Sequence, residues 1–115
     1  MRRTILNEVL DVLLEHRLVA SESEFSRDWL GRSDSYMRGL RFHDALPSIG
    51  AIAICASKLQ HYGYRLADAG RYEALAERFI ELSDACHRQI NARCEAAWLG
   101  ELEKGPASKR APRAV

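Results

Sequence analysis

The stretch GRSDSYMRGLRFHDALPSIGAIAICASKL, residues 31–59, decides the fold of this chain. Gly31 is expected to close a short amphipathic helix, because glycine readily adopts the left-handed backbone that follows many helices. Ser33 is a good cap for a second helix, since its hydroxyl can accept a hydrogen bond from a free amide of the first turn. Pro47 and Ser48 end the next loop and open a third helix with an apolar stripe. The stretch thus predicts three helices in close succession.

The middle helix of the three, predicted over 33–42, is rich in polar residues. It offers only Met37 and Leu40 to a core, the minimum for docking a helix. The outward positions hold Asp34, Ser35, Arg38 and Arg41. This is the layout of a helix-turn-helix, whose second helix enters the major groove of DNA.

Helical periodicity continues on the N-terminal side of this stretch. Apolar residues recur at i, i+3 and i+4 from Thr4 to about Arg17, which predicts a first helix. Ser21 and Glu24 form an S-x-x-E capping box, which marks the start of a second helix. That helix should bury its large apolar residues, Phe25, Trp29 and Leu30.

Periodicity also continues on the C-terminal side. The helix opened by Ser48 is expected to end at 62–64, where two tyrosines flank a glycine. After Gly70 an apolar pattern with helical spacing runs over 71–103, and no segment has a strand pattern. The sequence therefore predicts an all-α fold in three parts. These are a DNA-binding helix-turn-helix module at 1–65, a long helix at 66–103 that dimerises or completes the core, and a disordered basic tail at 104–115.

Length and charge limit the function classes. With 115 residues, 47% of them apolar, the chain is one domain with a real core. The net charge of +1 is no argument for nucleic acid by itself. The charge is uneven, however, because 66–103 holds eight acidic and four basic residues, whereas 104–115 holds four basic and no acidic ones. A basic tail and an arginine-bearing helix are compatible with nucleic acid.

The chain lacks the residue patterns of several other classes. Its three cysteines form no paired pattern, and it has neither a secretory leader nor an apolar run of about 18 residues. We therefore expect a reduced, cytoplasmic protein without membrane contact. Cys86 and Cys94 lie on one helix face beside His87 but lack further ligands, so we expect buried cysteines and no metal. With no triad, paired carboxylates or phosphate loop, we predict no enzyme, no catalytic residue and no cofactor.

The middle of the chain resembles the lambda-repressor-like (Cro/XRE-type) helix-turn-helix family. The match runs from 31 to 59 without a gap and covers the turn glycine, the cap, the core of the recognition helix and the fourth helix. Its residues are Gly31, Ser33, Ser35, Tyr36, Met37, Leu40, Pro47, Ser48, Ile52, Cys55, Ala56 and Leu59. The resemblance implies a helix-turn-helix bundle of four helices, to which this chain adds a long C-terminal helix.

Three positions depart from the family pattern. The Phe25-Ser26 pair, which resembles the family's Leu-Ala pair, is one residue too far from the turn glycine. Arg41 stands where the family usually has glutamate, so an ion pair with the second helix would be inverted, with Asp28 as the expected partner. His43 replaces the usual glycine after the recognition helix, so the loop must bend differently.

The resemblance also implies which residues contact DNA. Arg38 or Arg41 can donate two hydrogen bonds to guanine, and Tyr36 either reaches a phosphate or packs half-buried. Gly39 either permits close approach to DNA or lets the recognition helix pack on the second helix. The predicted DNA-binding residues are Arg27, Arg32, Ser33, Asp34, Ser35, Tyr36, Arg38, Arg41 and His43.

The function implied is a sequence-specific regulator of transcription. A homodimeric repressor would place the helix over 33–42 of each protomer in the major groove of double-stranded DNA. The alternative is an all-helical adaptor that binds a protein partner through 71–103 and has no DNA binding. A DNA binder requires the arginines on one electropositive face with the recognition helix protruding, whereas an adaptor predicts an exposed apolar patch with that helix partly covered.

Overall fold

The computed structural model describes residues 3–103, and all regular structure in that range is helical. The prediction of an all-α protein is therefore confirmed. No described helix is long and apolar enough to cross a membrane. The tail predicted at 104–115 lies outside the described residues. The helices are α1 (Ile5–Glu15), α2 (Glu22–Asp28), α3 (Tyr36–Phe42), α4 (Ile49–Ala69) and α5 (Glu73–Glu103).

The first two helices begin with side-chain caps encoded locally. The Thr4 hydroxyl accepts from the Leu6 amide at 3.2 Å, and the Thr4 amide donates to the Asn7 side chain at 2.8 Å. At α2 the Ser21 hydroxyl accepts from the Glu24 amide at 3.1 Å, as the capping box predicts. The returning carboxylate of Glu24 accepts from the amide of Ala20, at 2.9 Å, one residue earlier than the motif requires.

The start of α3 differs from the prediction. The helix begins at Tyr36, and 33–35 form a turn, because the Ser33 hydroxyl lies 3.4 Å from that of Ser35 and caps no amide. The cap comes from α2 instead: the buried Ser26 hydroxyl accepts from the Met37 amide at 3.3 Å. The prediction of Ser33 as the helix cap is wrong, since a tertiary contact supplies this hydrogen bond.

The end of α4 also differs. The helix continues through 62–64 and across the boundary predicted at 65, and it ends at Ala69, with Gly70 in the left-handed region at a φ of 71°. Gly63 is a packing position, because a Cβ there would lie 2.7 Å from Cδ1 of Ile80. This glycine therefore permits α4 and α5 to approach closely, where the sequence suggested a helix end.

The core forms where α4 and α5 pair as an antiparallel hairpin and α1 and α2 pack against them. The buried Ser83 hydroxyl ties the pair by donating to the Ala56 carbonyl at 2.9 Å. The first half of α5 thus completes the core of the N-terminal helices. The largest buried side chains include Leu6, Leu13, Phe25, Leu30, Ile52, Leu59, Phe79 and Leu82.

The three cysteines have different environments. Cys55 on α4 and Cys86 on α5 are buried as free thiols, whereas Cys94 is exposed, so the prediction of burial is confirmed for Cys86 and wrong for Cys94. The hydrogen bond with Cys86, together with burial, raises the pKa of the Cys55 thiol well above its usual value. Among residues 3–103, no group of three or more His, Cys, Asp or Glu side chains is arranged to hold a metal.

This difference predicts the reactivity of the thiols. With a colorimetric disulfide reagent at neutral pH, the native protein should show one fast-reacting thiol per chain, and Cys94→Ser should remove it. Cys55 and Cys86 should react only on unfolding, because a thiol must reach the reagent and ionise before it attacks. Fast reaction of a second thiol in native Cys94→Ser would contradict the packing of α4 on α5.

Candidate nucleic-acid interface

The short helix α3 is attached by one face and open on the other. Met37 is buried and Leu40 packs half-buried against the core. Its neighbour among the helices is α2. On the opposite face Ser35, Arg38 and Phe42 follow one another at spacings of three and four, and all three are exposed. Helix α3 therefore presents a continuous outward strip that no other residue within 3–103 covers.

Arg38 is the cation at the centre of that strip. Its side chain is exposed and forms no hydrogen bond or ion pair with any other described residue. Its five N–H donors are therefore available to a ligand with a planar pair of acceptors.

Arg41 has a different role, because it is engaged with α2. Its two terminal guanidinium nitrogens, Nη1 and Nη2, both donate to the Glu22 carboxylate, with 3.1 Å between Nη2 and Oε1. The hydrogen bond and the charge of Glu22 raise the pKa of Arg41. The inverted ion pair is thus present, but the prediction of Asp28 as partner is wrong. Helix α3 runs back along α2, so Arg41 meets the first turn of α2, and Asp28 lies at the other end.

Arg27 and Arg32 flank the start of α3. Arg27 lies 4.0 Å from the Asp34 carboxylate, and both side chains are largely exposed. Arg32 donates from Nη2 to the Ser48 hydroxyl at 3.0 Å, and its guanidinium lies 5.8 Å from the centre of the Tyr36 ring. Arg32 therefore sits at the N-terminus of α4.

Tyr36 belongs to the same contact. Its hydroxyl accepts from the Ser48 amide at 2.9 Å, and its ring packs half-buried against the core. Of the two interpretations of Tyr36, the structure favours packing, since the hydroxyl already accepts from the amide of Ser48, the N-cap of α4. The Ser48 hydroxyl in turn accepts from the Ala51 amide at 3.1 Å and caps that helix as predicted.

The remaining predicted residues are exposed at the ends of α3. Ser33 and Ser35 precede the helix, and His43 follows it with its ring 5.0 Å from that of Phe42. The face is less positive than the count of arginines suggests, because Arg27 and Arg41 each pair with a carboxylate. Arg38 and Arg32 remain the cations without an acidic partner in the described chain.

One residue of this face was not predicted from the sequence. Phe42 has 84% of its surface exposed, an unusual position for a phenylalanine. The spacing 35, 38, 42 could have revealed it, because that spacing aligns Phe42 with Ser35 and Arg38. Of the two interpretations of Gly39, close packing on α2 is wrong, because a Cβ there would meet nothing within 4 Å. The bare backbone of Gly39 opens outward.

The comparisons with known proteins give a family and no more. No curated protein and no solved structure matches the chain. A family model described as a family of unknown function, DUF6626, matches residues 6–99, which include all five helices except their outermost residues. The chain therefore belongs to this family, DUF6626.

Proposed function

We propose that this protein is a sequence-specific DNA-binding regulator of the lambda-repressor-like helix-turn-helix type and that α3 is its recognition helix. The observation that carries the proposal is the contrast between the two faces of α3. Its inner face is held by the Ser26–Met37 hydrogen bond and by the Arg41–Glu22 pair. Its outer face, with Ser35, Arg38, Gly39 and Phe42, is not covered by any other described residue, and Asp44 lines the same shallow depression as Arg38 and Phe42.

Two residues of the outer face have a defined partner in a major groove. Arg38 suits guanine, because its guanidinium can donate two parallel hydrogen bonds to O6 and N7. Phe42 suits the methyl group of thymine, which is the apolar feature of that groove. Gly39 lets the helix backbone approach the base edges without a side chain between them. A site with both guanine and thymine is therefore expected under α3.

The residues beside α3 suit the phosphate backbone. Arg32 lies over the N-terminus of α4, where a Cβ on Gly50 would come within 2.9 Å of its Nη2. A cation next to free helix amides is a favourable place for an anion. Arg32 would then position the protein on the duplex while Arg38 reads sequence.

The test is binding to labelled DNA, measured by fluorescence anisotropy. The probes are the DNA upstream of the protein's own gene and a scrambled duplex, each at about 50 and 200 mM salt. We expect binding to the first to survive the higher salt and to exceed binding to the second at least about a thousandfold. Equal binding to both that disappears with salt, or no binding to any duplex selected from a random library, would refute the proposal.

Gly39→Ala tests whether the outer face of α3 contacts DNA or is only exposed to solvent. Alanine should raise the free energy of unfolding by up to about 1 kcal/mol, because it favours helix and nothing lies within 4 Å of the added methyl. Binding to specific DNA should weaken, because the methyl keeps α3 from the bases. Gly100→Ala on α5 is the matched control, since space there is also open. If Gly39→Ala and Gly100→Ala leave DNA binding equally intact, α3 does not enter the groove.

We also propose that the regulator is a homodimer formed by the end of α5. Arg93 donates to the Pro47 carbonyl, which marks where α5 passes the start of α4. Beyond this point Trp98, Leu99 and Leu102 are each nearly half exposed. A helix of about ten residues is unstable in water without a partner. The same helix end of a second copy, related by a two-fold axis, would cover these apolar side chains.

The dimer predicts a change of mass in solution. Sedimentation should give a dimer for the wild type and a monomer for a Trp98→Glu, Leu102→Glu double variant, because two buried charges would face the partner. The control is Tyr72→Glu, which changes an aromatic residue of similar exposure at the opposite end of α5's hairpin. A wild type that sediments as a monomer at high concentration would refute this assembly.

An adaptor without DNA binding remains the second candidate. The observation that favours it is the exposure of Phe42, since exposed aromatic residues also anchor protein partners. Against it stands the absence of any cover over α3 in the described chain. Phe42→Ala separates the two functions: a DNA binder loses preference at one base pair, and an adaptor loses its partner without any effect on DNA.

A further inference from the structure

A groove lined by aromatic rings is formed by residues other than those of α3. It is formed where the end of α2 meets the second half of α4 and the first turns of α5, and it encloses about 360 Å³. Its walls are the rings of Trp29, Tyr62 and Phe79 together with Leu66 and Leu75. A volume of this size holds about a dozen waters or one small organic molecule.

The rings form a fixed wall. Trp29 lies edge-on to Phe79 with 6.1 Å between ring centres, and it is tilted against Tyr62 at 5.7 Å. Phe79 is 2% exposed and Trp29 is 9% exposed, so neither ring is free to turn into the groove and fill it. The groove is therefore preformed, and its apolar wall suits a flat aromatic ring.

One cation stands at this wall. The Lys58 ammonium lies 5.9 Å from the Trp29 ring and donates to the main-chain carbonyl of Asp28, which leaves it further N–H groups. The Asp28 side chain also lines the groove, but within the described residues its carboxylate forms no ion pair with Lys58, so the charge of the ammonium is not paired there.

We infer that this groove is a binding site for a small aromatic monocarboxylate. The ring of the ligand packs against Trp29, Tyr62 and Phe79, and its carboxylate accepts a hydrogen bond from the Lys58 ammonium. The positive charge of Lys58 favours an anionic aromatic ligand over a neutral one. Binding of this ligand does not depend on the proposed function. Only an effect of the ligand on the protein's affinity for DNA would rest on it.

The probes are phenylacetate and its neutral isostere phenylacetamide, which do not absorb where tryptophan is excited. The chain has two tryptophans, so the background is the full-length protein with Trp98→Phe, in which Trp29 alone fluoresces. Each probe is titrated without DNA while Trp29 emission is recorded. We expect saturable quenching by both probes, with phenylacetate bound about tenfold more tightly because it adds charge-assisted hydrogen bonds.

Two variants test whether the probes bind in the groove. Lys58→Met keeps the length of the side chain and removes its charge, so it should abolish the preference for phenylacetate and leave phenylacetamide unchanged. Leu66→Phe places a further ring in the groove without adding a second tryptophan, and it should abolish quenching by both probes, with thermal unfolding as the check that the variant is folded. The inference is overturned if neither probe saturates, if the acid has no preference over the amide, or if folded Leu66→Phe binds as tightly as the parent.

Discussion

Replacing Arg38 by alanine is expected to lower affinity for the specific DNA site about 10- to 100-fold. A bidentate arginine–guanine contact discriminates by about 1–3 kcal/mol, and each 1.4 kcal/mol corresponds to about a factor of ten. Arg38 is the exposed cation of α3 without a partner in the described chain, so its removal leaves nothing unpaired in the protein. Stability should therefore change by less than about 0.5 kcal/mol. Anisotropy titrations and urea unfolding measure the two quantities.

The matched control for this variant is Arg65→Ala. Arg65 is also exposed and carries the same charge, but it lies toward the end of α4, away from α3. The Arg65→Ala variant should weaken binding to all DNA only slightly, because it lowers the net positive charge of the protein by one. If both variants weaken binding equally, Arg38 contributes charge and reads no base. If Arg38→Ala binds its site as tightly as the wild type, α3 is not the recognition helix.

Replacing Phe79 by alanine is expected to lower the free energy of unfolding by about 3–5 kcal/mol. Buried phenylalanines cost this much because the substitution loses apolar burial and leaves a cavity. Phe79 is 2% exposed, and it lies between Trp29, the C-cap of α2, and Gly63, where α4 closely approaches α5. Its loss would loosen the junction of α2, α4 and α5 together. Urea unfolding followed by circular dichroism measures the change.

Phe42→Ala is the control, since it makes the same chemical change at a side chain that is 84% exposed. It should alter the free energy of unfolding by less than about 0.5 kcal/mol. A loss below about 1 kcal/mol for Phe79→Ala would mean that the α4–α5 hairpin does not carry the core.

Much of the helical structure could be predicted because the signals are local. Thr4 and Ser21 each accept a hydrogen bond from an amide two or three residues later. The cap and the helix start that it stabilises therefore lie in the same short segment of sequence. The apolar spacing of α1 and α4 correctly predicts which face each of them buries. The left-handed backbone predicted for Gly31 is confirmed by its φ of 65°, since few other residues adopt that conformation readily. The helix that Gly31 was expected to close ends earlier, however, at Asp28 with Trp29 as its C-cap.

The candidate site was predictable only in part. The spacing of 33–42 placed Arg38 outward, but it placed Arg41 outward as well, because periodicity does not tell whether a boundary residue meets a carboxylate. Glu22 is 19 residues away in sequence, and only the path of α3 back along α2 brings the two together. The same holds for Tyr36, whose hydroxyl meets Ser48 across the loop between α3 and α4.

The sequence by itself determined the helical class of the protein, the starts of α1, α2 and α4, and the outward position of Arg38. These follow from contacts within one or two helical turns, which any local segment carries with it. Only the tertiary structure decided that Ser26 caps α3, that Gly63 brings α4 against α5, and that Phe42 and Gly39 remain uncovered. The physical reason is that a hydrogen bond, a close approach or an exposed surface between distant residues depends on how the helices pack, and no local pattern encodes that packing.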